Sequence, residues 1–223
     1  MSEGTAVTEP GAGIGAEGSL ESWLMGRSEP ELLAARRREA WADWLAEEMP
    51  TRRSEEWRYT DISGLDPEAY SPVSVTTERA RSRDDLPSAV REVLDGDQKR
   101  SAVLVRHNGA VEHLRVDDQL TQLGVVYGPI EEIALSHPEL IEQFLFRSDV
   151  ASHERKLWAL HGALLSGGYL LYVPKNVALP HPVHALRYLD EDGAVVSTHS
   201  LIIAERGAEI TCIDEYLSPD LAT

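Results

Sequence analysis

The chain has 223 residues, of which 42% are hydrophobic and 26% are charged, so it is long enough to bury a core in one large domain or two small ones. Asp and Glu total 38 against 21 Lys and Arg, which gives a formal net charge of −17. Because binding to phosphates requires a basic surface, this charge argues against nucleic acid or an anionic membrane as a partner.

The first 18 residues predict a disordered tail, because they are small, acidic and rich in glycine. They lack the basic start and apolar block of a signal peptide, and no apolar run in the chain reaches the ~20 residues of a membrane span. Gly13–Gly18 matches the G-x-G-x-x-G dinucleotide fingerprint, but Pro10 and Gly11 interrupt the strand that must precede it. We therefore expect a cytoplasmic protein with no dinucleotide site at this motif.

Residues 19–97 predict a helical N-terminal domain. Apolar residues recur at helical spacing through Ser19–Glu48, which places Arg36, Arg37 and Arg38 on a solvated face. The segment that follows reads TRRSEEWRYTDIS, and its aromatic side chains, Trp57 and Tyr59, are expected to pack back against this helix. A further helix is predicted over Leu86–Leu94.

Residues 98–166 predict a segment that connects a hairpin to short helices. His107-Asn108-Gly109 separates two β-type runs, and Asn-Gly in this position is a strong signal for a tight hairpin turn. Gly167-Gly168 is expected to end the last helix of the segment. The predicted elements are strands over Ala102–Arg106, Ala110–Val116 and Val125–Tyr127 and helices over Ile130–Ser136, Pro138–Phe146 and Glu154–Leu165.

From residue 167 to 223 the hydrophobic period changes to two, which predicts strands. Regularly spaced strands of this kind fit a sandwich, a barrel or a solenoid, and the periodicity alone does not choose among these folds. The predicted strands are Tyr169–Val173, Val183–Tyr188, Val195–Ala204 and Glu209–Leu217.

The single cysteine, Cys212, bears on two questions. It excludes an internal disulfide, which fits a reducing compartment. An iron–sulfur cluster normally takes four thiolates, so this chain can offer one thiol ligand at most. In its alternating strand, Cys212 is interpreted as a small buried hydrophobic residue.

Histidines give the alternative hypothesis of a small metal-dependent β-barrel protein, with His181, His184 and His199 as ligands. A zinc site needs three or four converging groups, and residues three apart in a strand point to opposite faces. His153-Glu154 and His161 do not form a His-Glu-x-x-His motif, and neither a phosphate loop nor a G-x-S-x-G elbow is present. We therefore predict no catalytic, cofactor-binding or metal-ligating residue, and a protein that is not an enzyme.

Two stretches resemble the SufB/SufD family. Arg53-Ser54-Glu55-Glu56-Trp57-Arg58-Tyr59-Thr60-Asp61 is similar to the Glu-Glu-Trp-(Lys/Arg)-Tyr-Thr signature near the start of SufD proteins. Residues 168–177, 201–210 and Glu215-Tyr216 are similar to the strands of the family core, with Asn176 in place of its usual glycine. Asn also tolerates the positive φ of such a position. The resemblance covers residues 20–217, and its first motif favours a SufD-like protein.

The resemblance implies an α+β fold, in which a helical N-terminal domain precedes the first rungs of a right-handed parallel β-helix, here truncated after residue 223. It implies a non-catalytic scaffold subunit of the SUF iron–sulfur cluster assembly complex, pairing with a SufB-like subunit and, through a C-terminal region, with a SufC-like ATPase. No cofactor is expected on this chain alone; the cluster and reduced flavin belong to the complex. The family's cluster-ligand histidine lies beyond Thr223, so no ligand residue is assigned. An acidic interaction module without a link to cluster assembly remains as a third hypothesis.

Overall fold

The computed structural model of the protein describes residues 14, 19–25, 27, 29–73, 82–96, 98–145 and 155–220. Helices and strands mix within them, in agreement with the predicted α+β class. The α-helices of these residues are α1 Ser19–Met25, α2 Glu31–Ala46, α3 Ser88–Asp95, α4 Asp118–Gln122, α5 Ile130–Ser136, α6 Pro138–Phe144 and α7 Arg155–Ala163. The strands are β1 Ser71–Pro72, β2 Ala102–His107, β3 Ala110–Val116, β4 Val126–Pro129, β5 Leu165–Val173, β6 Val183–Tyr188, β7 Ala194–Val195, β8 Ser197–Ala204 and β9 Cys212–Leu217.

The N-terminal helical pattern forms two helices, and the second packs along α7. Pro30 stands at the start of α2, where its missing N–H leaves no helical hydrogen bond unmade. Leu33 and Trp44 are buried on the packed face. Lys156 of α7 donates from Nζ to the carbonyl of Glu47 at 2.7 Å, which satisfies one of the carbonyl groups left open at the end of α2.

The predicted Asn-Gly hairpin is confirmed. β2 and β3 pair in antiparallel fashion, and Asn108 and Gly109 have φ values of 45° and 83°. Positive φ at both central residues is what a two-residue type I′ turn requires. β2 is buried from Ala102 to Val105 because it also pairs in parallel with β6 and therefore lies inside its sheet.

Two sheets enclose the largest apolar core. One has the strand order β3-β2-β6-β9 and the other β4-β5-β8. Strand residues alternate between faces, so each sheet contributes every second side chain to the space between them. The buried residues of this core are Ala102, Leu104, Leu120, Val125, Tyr127, Tyr169, Leu171, Val173, Val183 and Ala185.

The parallel pairs in both sheets repeat at a regular distance along the chain. Gly168 of β5 pairs with His199 of β8, and Val183 of β6 pairs with Cys212 of β9. A parallel bridge also joins the connections that follow β5 and β8. The partners lie about 30 residues apart, which is within the period of solenoid repeats. The β5–β6 and β8–β9 units are therefore two similar units stacked in parallel.

The N-terminal helices pack onto this strand region. Ile14 is buried with Leu20 and Leu24 in a cluster that includes Leu164, and the Ile14 N–H donates to the carbonyl of Tyr70 at 3.0 Å. Ile14 is the one described residue of the predicted tail. The other residues of the G-x-G-x-x-G motif lie outside the described part of the chain, as do His153 and Glu154.

Gly167 and Gly168 lie inside β5, so the prediction that they end the preceding helix is wrong. That helix, α7, already ends at Ala163. Gly168 has a φ of +128°, and a Cβ there would lie 2.0 Å from the carbonyl oxygen of His199. Only glycine allows β5 to approach β8 this closely, so the pair marks a strand contact instead of a helix end.

Other sequence predictions are corrected in detail. The strand predicted over Val195–Ala204 is divided between β7 and β8, and the last strand begins at Cys212 instead of Glu209. Arg37 is only 3% exposed and does not lie on a solvated face. It can be buried because a carboxylate inside the fold pairs with its positive charge. Tyr59 is 85% exposed and does not pack against α2.

Candidate functional site

The three histidines of the metal hypothesis do not converge, because each lies in a different structural environment. His184 is 1% exposed within β6, and His199 lies on β8 beside His161 of α7. His181 precedes β6, and its backbone N–H donates to Ser101 Oγ at 3.2 Å. Within the described residues, no group of three or more His, Cys, Asp or Glu side chains is arranged to hold a metal ion. The structure therefore gives no support to a site built from His181, His184 and His199.

His184 is held between two charged side chains. Arg100 donates from Nε to His184 Nδ1 at 3.0 Å, and His184 Nε2 lies 3.0 Å from a carboxylate oxygen of Glu215. Arginine has no acceptor, so Nδ1 is the unprotonated nitrogen and Nε2 donates to Glu215. Burial, followed by the charge of Arg100, lowers the pKa of His184. The imidazole is therefore a neutral link between the segment before β2 and the last strand.

Cys212 begins β9 and is half-buried against the main core. Burial is the largest cause that raises the pKa of its thiol, and the nearby charge of Asp214 is the next. A raised pKa favours the thiol over the thiolate, and the thiolate is the form that binds metals. One such thiol can supply at most one of the four thiolate ligands that an iron–sulfur cluster normally takes.

Two buried arginines stand in register on neighbouring parallel strands. Arg106 of β2 is opposite Arg187 of β6, which in turn is opposite Tyr216 of β9. Arg106 is 2% exposed and Arg187 is 6% exposed. Buried charges persist only when they are paired, so the stability of this row depends on its acidic partners.

Each arginine of the row has a carboxylate partner. Arg106 donates from Nη2 to both carboxylate oxygens of Glu131 at 2.8 Å. Arg187 donates to Asp214 Oδ1 at 2.7 Å and to Ser200 Oγ at 2.9 Å. Ser200 Oγ donates to the other oxygen of Asp214 at 2.9 Å. These side-chain contacts tie β9 to β6, with which it also pairs through the backbone, and to β8, which belongs to the other sheet.

A cleft of about 210 Å³ lies beside this row. Arg187 is part of its lining, and its guanidinium carbon is 4.9 Å from the ring centre of Tyr216, within the range of a cation–π contact. Tyr216 itself is 65% exposed. The Tyr216 ring is therefore exposed at the end of the strand stack and contacts the guanidinium of Arg187, which is itself paired with a carboxylate.

β8 and β9 form an open edge of the fold within the described residues. Each is the last strand of its sheet and pairs with a neighbour on one side only. Ile202 of β8 is 45% exposed. Unpaired N–H and C=O groups along a strand edge favour pairing with another chain. We call β8 and β9 together the open edge, and we regard it as the candidate interaction site.

Sequence reasoning missed Arg106 and Arg187 as members of one row. Each was visible as a charged residue within an apolar strand, Val-Leu-Val-Arg-His and Val-His-Ala-Leu-Arg-Tyr. The two strands are about 80 residues apart in the chain, and short connections are the norm between neighbouring elements. Their adjacency therefore becomes visible only when the sheet order is known.

The Trp57 motif lies in a short 3₁₀ turn, Glu55–Trp57, preceded by Ser54. Ser54 occupies the N-cap position without a side-chain cap hydrogen bond. The Arg58 guanidinium lies 4.6 Å from the ring centre of Tyr59, which is otherwise exposed. The motif is thus a surface feature, separate from the open edge in sequence.

No α-helix in the described part of the chain combines the length and apolar character needed to cross a bilayer.

Comparisons with protein-family models and with curated proteins point to the same family. The protein-family model described as "SufBD protein N-terminal region" matches residues 21–185 of this chain. The iron–sulfur cluster assembly protein SufD of Bacillus subtilis is 30% identical over 173 residues, which cover 78% of this chain and 39% of that protein. An iron–sulfur cluster assembly SufBD family protein of Pyrococcus horikoshii is 30% identical over 151 residues, covering 65% of this chain and 34% of its own length. A Staphylococcus saprophyticus SufBD family protein is 28% identical over 173 residues, covering 73% and 37%. The chain thus spans less than half the length of these curated relatives.

Proposed function

This chain belongs to the SufB/SufD family, and on that premise we propose that it serves iron–sulfur cluster assembly as a non-catalytic scaffold subunit. The observation that carries the proposal is the pair of stacked parallel units, β5–β6 and β8–β9, with an open edge. A stack that ends in uncovered strands is suited to be extended or paired, which is what a scaffold subunit needs.

The proposed fold of the strand region is the beginning of a right-handed parallel β-helix. Its support is the parallel pairing that recurs about 30 residues apart in both sheets. The proposed division of the chain is a tail over 1–18, a helical N-terminal domain over 19–97, a connecting segment over 98–166 and the β-helix start over 167–223. Leu33 lies in the same buried cluster as Leu165 and Leu170, so the helical segment and the strands share part of their core.

The proposed partners are a SufB-like subunit and a SufC-like ATPase. In this hypothesis, the β-helices of the two scaffold subunits pair, and the ATPase binds a C-terminal region of the full-length form. The cluster is the cargo of the complex, and reduced flavin associates with the complex and not with this chain alone. Cys212 supports the hypothesis that the cluster belongs to the complex and not to this chain alone, because one half-buried thiol supplies at most one of four cluster ligands. The proposed location is the cytoplasm.

A tagged copy of the gene, expressed from its own locus in the host, tests the proposal. We expect a SufB-like protein and a SufC-like ATPase to co-purify with the tagged protein. Deleting the gene should remove most of the activity of a [4Fe–4S] enzyme under iron limitation, and re-expression should restore it. The activity of a zinc enzyme in the same cells is the control, because its metal does not pass through this complex.

Two results together would overturn the proposal: purification without either partner and unchanged [4Fe–4S] enzyme activity after deletion. Co-purification with unrelated proteins only would favour the acidic interaction module. The formal charge of −17 is compatible with that module but also with simple solubility, so it does not support the module specifically.

A further inference from the structure

A second cleft, of about 240 Å³, lies between the α3 region and the outer face of the β3-β2-β6-β9 sheet. Strand residues alternate between faces, so Ala102 and Leu104 point into the main core while Val103 packs on the other side with Leu86 and Val90. The cleft opens beside this smaller cluster. Its lining residues are Leu86, Leu94, Arg100, Val103, His113 and Arg115.

The charge of this lining is opposite to that of the whole chain. The chain has 38 acidic and 21 basic residues. The described residues that line the cleft nevertheless include Arg100, Arg115 and His113, and none of them is Asp or Glu. The other lining residues are two leucines and a valine. A cleft that combines arginines with apolar side chains suits a ligand that carries both an anion and an apolar group.

Arg100 is the buried cation of this cleft, since it is only 9% exposed. Within the described residues, each of the other buried arginines pairs directly with a carboxylate: Arg37, Arg106 and Arg187. Arg100 has no such contact there, because the His184 ring stands between it and the carboxylate of Glu215. Buried charges are normally paired, so Arg100 retains the capacity to bind an anion directly.

The protein uses three of the five N–H groups of Arg100. Nε donates to His184 Nδ1 at 3.0 Å, Nη1 to the carbonyl of Gln98 at 3.3 Å and Nη2 to the carbonyl of Val93 at 2.8 Å. These bonds hold the guanidinium in place, which lowers the entropy cost of binding a ligand. Because each terminal nitrogen carries two N–H groups, one remains on Nη1 and one on Nη2. A carboxylate has two oxygens that accept such donors.

Arg115 supports this arrangement from β3. Its Nη2 donates to the Arg100 carbonyl at 2.8 Å, and its Nη1 pairs with Asp117. The Arg115 side chain is 46% exposed, so solvent screens its charge. We therefore expect Arg115 to contribute less to anion binding than Arg100 does.

We propose that this cleft binds a small monocarboxylate with an apolar chain or ring, whose carboxylate contacts Arg100 and whose apolar part lies against Leu86, Leu94 and Val103. An apolar cavity of about 150 Å³ holds benzene, so a cleft of about 240 Å³ has room for roughly ten non-hydrogen atoms. Acetate would leave the apolar walls uncovered, and an alcohol would leave the charge of Arg100 unpaired. The inference does not rest on the proposed function.

Calorimetric titration of the whole 223-residue protein with sodium octanoate tests the site. We expect one octanoate per chain. Sodium acetate and 1-octanol are the matched ligands, because each has one of the two features that the cleft recognises. Both should bind at least about tenfold more weakly than octanoate.

Substitutions locate the binding. Arg100→Met should weaken octanoate binding about tenfold or more, because it removes the charge and its donors but keeps an apolar chain of similar length. Arg115→Gln should weaken it about twofold to fivefold. Arg58→Gln is the control, since Arg58 is also half-exposed and paired with a carboxylate, that of Glu55, but lies outside the cleft. Circular dichroism and urea unfolding would verify that the variants are folded.

A measurement on the wild-type protein keeps the inference testable if Arg100→Met does not fold. In ¹H–¹⁵N spectra, octanoate should shift the Arg100 Nε–H signal and the Val103 amide signal and leave the Arg58 Nε–H signal in place. Four outcomes would overturn the site: no octanoate binding, equally tight binding of 1-octanol, equal affinities of the Arg100→Met and Arg58→Gln variants, or shifts confined to residues outside the cleft.

Discussion

Three histidines, His161, His184 and His199, are each placed so that burial disfavours their charged form. For each of them, burial is the first cause of a pKa below the ordinary value of 6.5. Their hydrogen-bond partners differ, since His184 lies between Arg100 and Glu215 and the other two contact each other. The common consequence is that the folded chain binds protons at these positions less readily than the unfolded chain.

This difference predicts a pH dependence of stability. A group whose pKa is lower in the folded state contributes stability above its unfolded pKa, and that contribution is lost as the pH falls through 6.5 toward the folded pKa. We expect the free energy of unfolding to fall by about 1 kcal/mol between pH 7 and pH 5 through His161 alone, a value reduced from the full effect because the ring is partly exposed. Urea titrations at several pH values in the presence of a chelator measure it.

The His161→Gln variant is the matched comparison for that experiment. Because glutamine does not titrate, the variant should lose less stability than the wild type between pH 7 and pH 5. Parallel curves for the two proteins would contradict the assigned role of His161.

At the scale of elements, two close contacts fix how the helices and strands meet. The first is between β5 and β8, where Gly168 faces His199 without room for a Cβ. The second is between α2 and the end of α7, where Arg37 donates from Nε to Glu29 at 2.8 Å and from Nη1 to the Ala163 carbonyl at 3.2 Å. Both contacts are buried, so substitutions there should cost far more than substitutions on exposed faces.

Gly168→Ala is expected to destabilise the protein by about 3 kcal/mol or more, because the new Cβ would overlap the His199 carbonyl and the φ of +128° is unfavourable for alanine. Gly64→Ala is the matched control, since a Cβ at Gly64 meets no atom within 4 Å. Chemical denaturation followed by circular dichroism compares them. Equal stability of the two variants would show that β5 and β8 are not this close.

Arg37→Met is expected to lower the free energy of unfolding by about 3 kcal/mol, because it leaves the buried carboxylate of Glu29 with a weaker set of partners. Arg36→Met removes the neighbouring but exposed pair with Glu39 and should change stability by about 0.5 kcal/mol or less. Tryptophan fluorescence during urea unfolding reports both. A similar small effect for the two variants would place Arg37 on the solvated face that the helical pattern suggested.

For the whole molecule, the two stacked parallel units leave one end of the strand region open. β8 and β9 have no further strand beside them among the described residues, and Ile202 and Tyr216 remain partly exposed there. β3 and β4 are the edge strands on the other side of the two sheets, where they pair with their neighbours in antiparallel fashion. Of these edges we expect association at β8 and β9, because the stacked parallel units end there with Ile202 and Tyr216 exposed.

The 223-residue chain should self-associate as its concentration rises, and Ile202→Lys should weaken this association because a lysine on an edge strand opposes strand pairing. Leu135→Lys is the matched control: Leu135 is 69% exposed on α5, outside the open edge. Sedimentation velocity over a concentration series measures the effect. A wild-type protein that stays monomeric throughout, or an equal response to both lysines, would exclude the open edge as the sticky surface.

The sequence by itself determined the features that depend on neighbours in the chain. Asn108-Gly109 defined the hairpin, alternation defined Val183–Tyr188, and Asn176 at a family glycine was consistent with its observed φ of 60°. The two family-like motifs were likewise sufficient for the family, which the family match confirms. These features are local because turn chemistry, periodicity and motif spacing act over a few residues.

Only the tertiary structure decided which distant residues meet. It placed Arg106 beside Arg187, separated His199 from His184 and His181, and brought His199 to His161 instead. It also used Gly168 for a strand contact and buried Arg37 against Glu29, although both residues carry strong local signals for other roles. The physical reason is that burial, charge pairing and close packing are set by elements many residues apart, whose order and register no local pattern encodes.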